Sequence, residues 1–100
     1  MIMRIWTGRT PLSKADAYLK LMRTLALPDY RGVDGCRGAW VTRRDEGEVA
    51  TFQTISLWDN LAAVELFAGT PVDDARYYDF DDEFLLEKEP KVQHLQAWDS

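Results

Sequence analysis

His94 is the only histidine in the chain, and imidazole is the one side chain whose unperturbed pKa lies near neutrality. It is the natural candidate for moving a proton. It sits in an extended run, Lys91 to Trp98, where alternation puts it on one face with Val92 and Gln96. At the other end of the sequence, Arg4 and Trp6 share a face of a first extended run, Met1 to Arg9. If both runs join one sheet with these faces coincident, a cation, an aromatic wall and a base surround one patch. Such a patch suits a planar, acidic phenol: Trp6 stacks, Arg4 stabilises the phenolate, and His94 removes or returns its proton. The bland alternative for His94 is a hydrogen-bonded sheet histidine at a subunit interface.

Tyr77 and Tyr78 are the next candidates, because either could roof such a patch with a hydroxyl as donor, beside Phe67. Their alternative is packing over the edge of the core with the hydroxyl in water. Phe67 and Trp58 flank an apolar helix and also read as core. Arg76, next to an acidic run, reads as a surface counter-charge, and Trp40 and Trp98 as apolar area on a sheet face or a dimer seam. The catalytic candidates are therefore His94 and Arg4, and the substrate-binding candidates Trp6, Phe67, Tyr77 and Tyr78.

Composition narrows the partners. One hundred residues with 46% hydrophobic and 12% aromatic content suffice for one domain with a packed core. A net charge of −5 argues against nucleic acid and against an anionic membrane surface. The segment Asp73 to Glu89 carries eight carboxylates against Arg76 and Lys88, a net of −6, which leaves the rest of the chain near +1. Asp79, Asp81, Asp82 and Glu83 lack the central glycine of a calcium loop, so this run reads as a solvated acidic turn. A single cysteine, Cys36, excludes an internal disulfide and a multi-thiolate zinc site, and reads as a small core residue. Nothing resembles a phosphate-cradling glycine loop or a dinucleotide fingerprint. The expectation is a site with no metal and no cofactor. The N-terminus lacks the long apolar region of a signal peptide, and no apolar run reaches the ~20 residues needed to cross a bilayer. A cytoplasmic location is expected by default.

The elements that must position these residues follow from periodicity. Strands are expected near 2–9, 35–44, 48–58 and 91–98, and helices near 12–27 and 59–68. Pro11 with Ser13 and Asp16 marks a helix start resembling a capping box. Ala15, Tyr18, Leu19, Met22 and Leu25 form its apolar face, and Pro28 ends it. Asp45-Glu46-Gly47 reads as a three-residue hairpin. Asp59 is expected to cap a well-buried second helix that stops at Gly69. A further short helical piece is expected over Pro71 to Tyr78, and another segment over Asp81 to Glu87. The order β-α-β-β-α-(α)-β predicts an α+β ferredoxin-like sandwich with an antiparallel four-stranded sheet and helices on one face. Apolar residues on both strand faces leave the other face in need of a cover, which predicts a homodimer through the sheets.

Several pieces, in order across nearly the whole length, resemble the antibiotic biosynthesis monooxygenase family of the dimeric α/β-barrel superfamily. They are Arg4-Ile-Trp6-Thr-Gly8, Arg43-Arg44 leading to Glu48, Ser56-Leu-Trp58-Asp59, Phe67-Ala-Gly69, Ala75-Arg-Tyr77-Tyr78 and Val92-Gln-His94. The resemblance implies a ferredoxin-like fold, a homodimer whose sheets form a barrel, and a pocket between each sheet and its own helices. Some members of that family oxidise polyphenols with O2 and no cofactor, and others degrade haem. The haem-degrading members use an Asn on the first strand with a Trp and a His on the helical side. Here the first strand offers Arg4 and Trp6, and Tyr77 and Tyr78 stand where the His would be, which disfavours haem. Two functions follow as expectations: a cofactor-independent monooxygenase acting on a small aromatic or polyphenolic substrate, or a non-catalytic, ligand-binding or stress-associated barrel dimer.

Overall fold

Alternating side chains drive the first ten residues into a strand, β1 (Ile2–Pro11), and a computed structural model describing residues 1–100 pairs it on both sides. The remaining strands are β2 (Cys36–Glu46), β3 (Val49–Trp58) and β4 (Gln93–Gln96), in the antiparallel order β2-β3-β1-β4. β1 and β3 pair from Ile2↔Trp58 to Pro11↔Val49, and β4 adds four pairs from Ile2↔Gln96 to Ile5↔Gln93. Helices α1 (Leu12–Leu21), α2 (Leu27–Arg31) and α3 (Leu61–Ala68) cover one face. This is the α+β ferredoxin-like arrangement that periodicity predicts. No helix is long and apolar enough to cross a membrane.

The register fixes the two faces. Toward the helices point Arg4, Trp6, Gly8 and Thr10 of β1 and Ala50, Phe52, Thr54, Ser56 and Trp58 of β3, all buried. Here the sheet packs against Tyr18, Met22, Ala26, Tyr30, Val64 and Phe67. The buried hydroxyls on this face serve aromatic polar atoms: Trp58 Nε1 donates to Ser56 Oγ (2.9 Å), and Tyr30 Oη and Thr54 Oγ1 are 2.9 Å apart. Met3, Ile5, Ile55, Leu57, Trp40 and Leu95 alternate onto the opposite, helix-free face, with Trp40 and Leu95 each half exposed.

Several local expectations are corrected. Pro28 does not end the first helix. A π turn over Met22–Ala26 lets Leu27 N–H reach back to Met22 O, and Pro28 then falls in the first turn of α2, where its missing N–H costs nothing. The extra residue in that turn rotates the apolar stripe, so Ala26 and Leu27 are buried while Leu25 is exposed. No capping box forms at Ser13; β1 runs directly into α1, and Leu12 N–H bonds to Glu48 O (2.8 Å). The hairpin loop is two residues, Gly47-Glu48, because Glu46 pairs with Val49 and Gly47 takes φ +60°. Asn60, not Asp59, caps α3 by accepting from Ala63 N–H (3.0 Å), since the Asp59 carboxylate is held by Arg37 at 2.6 Å. α3 is only half buried: Ala63, Val64 and Phe67 face inward, but Leu61 and Leu66 are exposed. Pro71 to Tyr78 forms no helix, and beyond it lies a single 3-10 segment, Asp79–Glu83. The acidic run is not wholly solvated, because Asp81 is buried.

Candidate functional site

Arg4 is the central oddity of the inner face. Its side chain is 1% exposed, yet no carboxylate pairs with it, and its Nε and Nη2 are buried without a hydrogen-bond partner. A buried, unpaired cation is among the costliest arrangements a fold can hold. Burial pushes the guanidinium below its usual pKa, opposed by the nearby Tyr30 hydroxyl, and it remains a cation at neutral pH. Its carbon lies 5.3 Å from the Phe67 ring centre. Phe67 is the hub of this corner, in contact with Tyr30 (4.2 Å between ring centres) and Trp58 (5.6 Å).

Two residues along β1, on the same face, Trp6 is 3% exposed and its Nε1 is also buried without a partner. The indole can lie flat along the strand only because residue 8 is glycine: a Cβ there would come within 2.6 Å of Trp6 Cζ2. Tyr77 closes over it edge-on, at 6.2 Å between ring centres. The Tyr77 hydroxyl donates to Glu89 O, and burial raises its pKa.

His94 is the direct cross-strand partner of Arg4 and faces the same side. Its side chain is 11% exposed, and Nδ1 lies 2.9 Å from Asp73 Oδ1. A carboxylate accepts from Nδ1–H, so the neutral ring carries its lone pair on Nε2. That atom is buried and unpartnered. A short backbone pairing brings Asp73 into place, since Val92 N–H bonds to Asp73 O and Ala75 N–H to Pro90 O. Asp73, His94 and the inner face thus reproduce the carboxylate–imidazole pair of general-base sites, with the basic nitrogen turned inward.

The structure therefore brings Arg4, Trp6, His94, Phe67 and Tyr77 to one corner of the inner face. Tyr78 is stacked on Phe80, donates to Asp29 Oδ2 at 2.8 Å, and has its ring 5.3 Å from the guanidinium of Arg76, which also covers Phe67. Arg76 is more than a counter-charge: it lies 4.6 Å from the centre of the Phe67 ring and pairs with Asp29 at 2.8 Å. Sequence reasoning missed Asp73, Gly8 and Tyr30. No spacing rule marks Asp73, whereas a glycine two residues from a tryptophan on one strand face is a usable signal. The shallow concavities of the surface lie elsewhere, around Pro11–Ser13 with Glu48, along Asp16–Thr24, and around Arg43 and Gln53. The corner is closed over by Phe67, Tyr77 and the segment that follows α3.

The fold and this corner define a class: a ferredoxin-like α+β domain with a buried cation, an indole and an imidazole under an aromatic roof. No protein-family model matches the sequence, and no curated protein does. Solved structures share the fold. PA3566 of Pseudomonas aeruginosa is 21% identical with a TM-score of 0.67, over 98% of this chain and 94% of its own. A candidate antibiotic biosynthesis monooxygenase from Deinococcus radiodurans is 17% identical with a TM-score of 0.69, over 100% of this chain and 95% of its own. Rv0793 of Mycobacterium tuberculosis is 18% identical with a TM-score of 0.61, over 100% and 98%. The resemblance drawn from Arg4 to His94 thus holds at the level of fold.

Proposed function

We propose that the protein is a cofactor-independent monooxygenase acting on a small phenolic aromatic. The observation that carries this reading is the convergence, on one buried corner, of an unpaired guanidinium, an unpartnered indole N–H and an imidazole whose free nitrogen faces inward. His94 Nε2 takes the phenol proton, Asp73 holds the imidazolium that results, and Arg4 holds the phenolate oxygen. The phenolate is electron-rich enough to reduce O2 by one electron. Recombination at ring carbon gives a hydroperoxide, and loss of water leaves the carbonyl, so phenol and O2 yield quinone and water with all atoms and electrons accounted for. The chain's own contribution is orientation, exclusion of water and the protonation state.

The helix-free face, with Trp40, Leu57, Ile55 and Leu95, supports the homodimer as part of the same reading, because a patch of this kind is stable when covered. The closed roof favours the second reading, a ligand-binding barrel dimer without chemistry. His94→Ala separates the two. Oxygen consumption with naphthols should fall roughly 10²-fold, the usual scale for losing a general base, while naphthol binding persists. Turnover unchanged in that variant, or absent from the unmodified protein, leaves the binding reading in its place.

A further inference from the structure

We infer that the ligand of the Arg4 corner is an aromatic acid bearing a hydroxyl ortho to its carboxylate, the carboxylate docking on Arg4 and the hydroxyl on His94. This rests on the proposed reading in taking the corner as a ligand site with His94 as its base, and it replaces the phenolate by a carboxylate as the group that Arg4 holds.

Three cationic or potentially cationic side chains gather at this corner, and two have carboxylate partners: Asp73 for His94 and Asp29 for Arg76. Arg4 has none, and it is the most deeply buried of the three. The unpaired guanidinium calls for one negative charge, brought by something other than this chain's own side chains.

The two unpartnered nitrogens of Arg4 are Nε and Nη2. Their N–H bonds project from the same edge of the guanidinium and form the fork that receives both oxygens of a carboxylate side by side. A lone phenolate oxygen would satisfy one and leave the other buried and unmet. A carboxylate is also ionised at neutral pH without help from the protein.

Arg4 and His94 are opposed across β1 and β4, where directly paired Cα atoms lie about 4.5–5.5 Å apart. The two side chains leave opposed backbone positions on one face, and we place a hydroxyl ortho to the carboxylate on Arg4 against the lone pair on His94 Nε2. Trp6 Nε1, the remaining unpartnered donor, lies two residues along the same strand face and supplies a hydrogen bond to the ligand's oxygens.

Isothermal titration of the full chain with 3-hydroxy-2-naphthoate, 2-naphthol and 2-naphthoate decides the matter, because these probes share one ring system and differ only in the two groups. Hydroxynaphthoate should bind tighter than 2-naphthol by roughly 10- to 100-fold, the scale of a charge-assisted bidentate pair. Arg4→Met should abolish that preference, and Arg4→Lys, which keeps the charge and loses the fork, should remove most of it. Circular dichroism checks the fold of both variants. His94→Ala should weaken hydroxynaphthoate and leave 2-naphthoate unchanged. Equal affinity of hydroxynaphthoate and 2-naphthol overturns the inference, as does binding of neither. The two readings fail separately. If 2-naphthol is bound and oxidised with no advantage from a carboxylate, the carboxylate docking is wrong and the oxygenation stands. If hydroxynaphthoate binds through Arg4 and is never oxidised, the docking stands and the oxygenation falls.

Discussion

Asp81→Asn probes the anchor that holds the roof of the site. Asp81 is 2% exposed and uses both carboxylate oxygens: Oδ1 accepts from Tyr18 Oη at 2.8 Å and Oδ2 from Tyr78 N–H at 2.7 Å. It thereby ties the segment after α3 to α1. Asparagine can accept through one oxygen only, so one of the two donors is left facing an amide NH2. Leaving a buried donor unmet costs about 1–3 kcal/mol, which for a domain of this size is a fall in Tm of about 5–20 °C. The effect depends on pH. Burial raises the Asp81 carboxyl above its usual 3.8, and neighbouring Asp82 adds to this; the Tyr78 and Tyr18 hydrogen bonds and Lys88 oppose it. An acid whose folded pKa exceeds its unfolded one stabilises the fold most when protonated. That contribution is complete below the unfolded value and is lost as pH rises through the folded one. Asparagine does not titrate, so the gap in Tm between the two proteins should be wider near pH 4 than near pH 7. Melting both proteins in parallel at the two pH values cancels the other carboxylates. A gap that widens toward neutral pH, or no gap at either, would refute the reasoning.

Three further outcomes are expected. Trp40 is half exposed on the helix-free face; burying about 100 Å² of it per copy is worth about 2.5 kcal/mol, so Trp40→Lys, counted twice across a two-fold interface, should weaken dimerisation by up to roughly 5,000-fold by light scattering over a dilution series, and an unchanged mass profile would count against the sheet-to-sheet dimer. Gly8→Ala puts a methyl group into the Trp6 indole and within 3.1 Å of Leu85 Cδ2; an overpacking loss of about 1–3 kcal/mol and weaker aromatic binding should follow in melts and calorimetry, whereas wild-type values in both would mean that the indole position is not fixed by this glycine. Asn60→Ala removes the α3 cap and should cost about 1 kcal/mol, and urea titration should show Asp59→Ala costing less, because Asp59 contributes an exposed ion pair to Arg37 rather than a cap.

The order of elements and the sharing of one face by Arg4 and Trp6 were legible in the sequence, because each depends on local periodicity: side chains two apart on a strand share a face whatever the strand pairs with; that His94 joins them was decided by the pairing of β4 with β1. The Gly69 stop was legible for the same reason, since a φ of +75° is a local demand that glycine meets. What the sequence did not reveal depends on contacts distant in the chain. The π turn before Pro28 shifts the helix phase by one residue, which a period fitted to 3.6 cannot anticipate. Asp81 and its neighbour Asp82 are chemically alike in sequence, and only the approach of Tyr18 from α1 makes one a buried acceptor and leaves the other in water. Asp73 reaches His94 through a two-residue backbone pairing across some twenty residues. Arg4 stands out in the sequence as a candidate to hold a phenolate, but only the fold decides that it is buried against Phe67 with no carboxylate beside it. Local stereochemistry set the faces; long-range packing decided which polar groups on them are paired and which are buried without a partner.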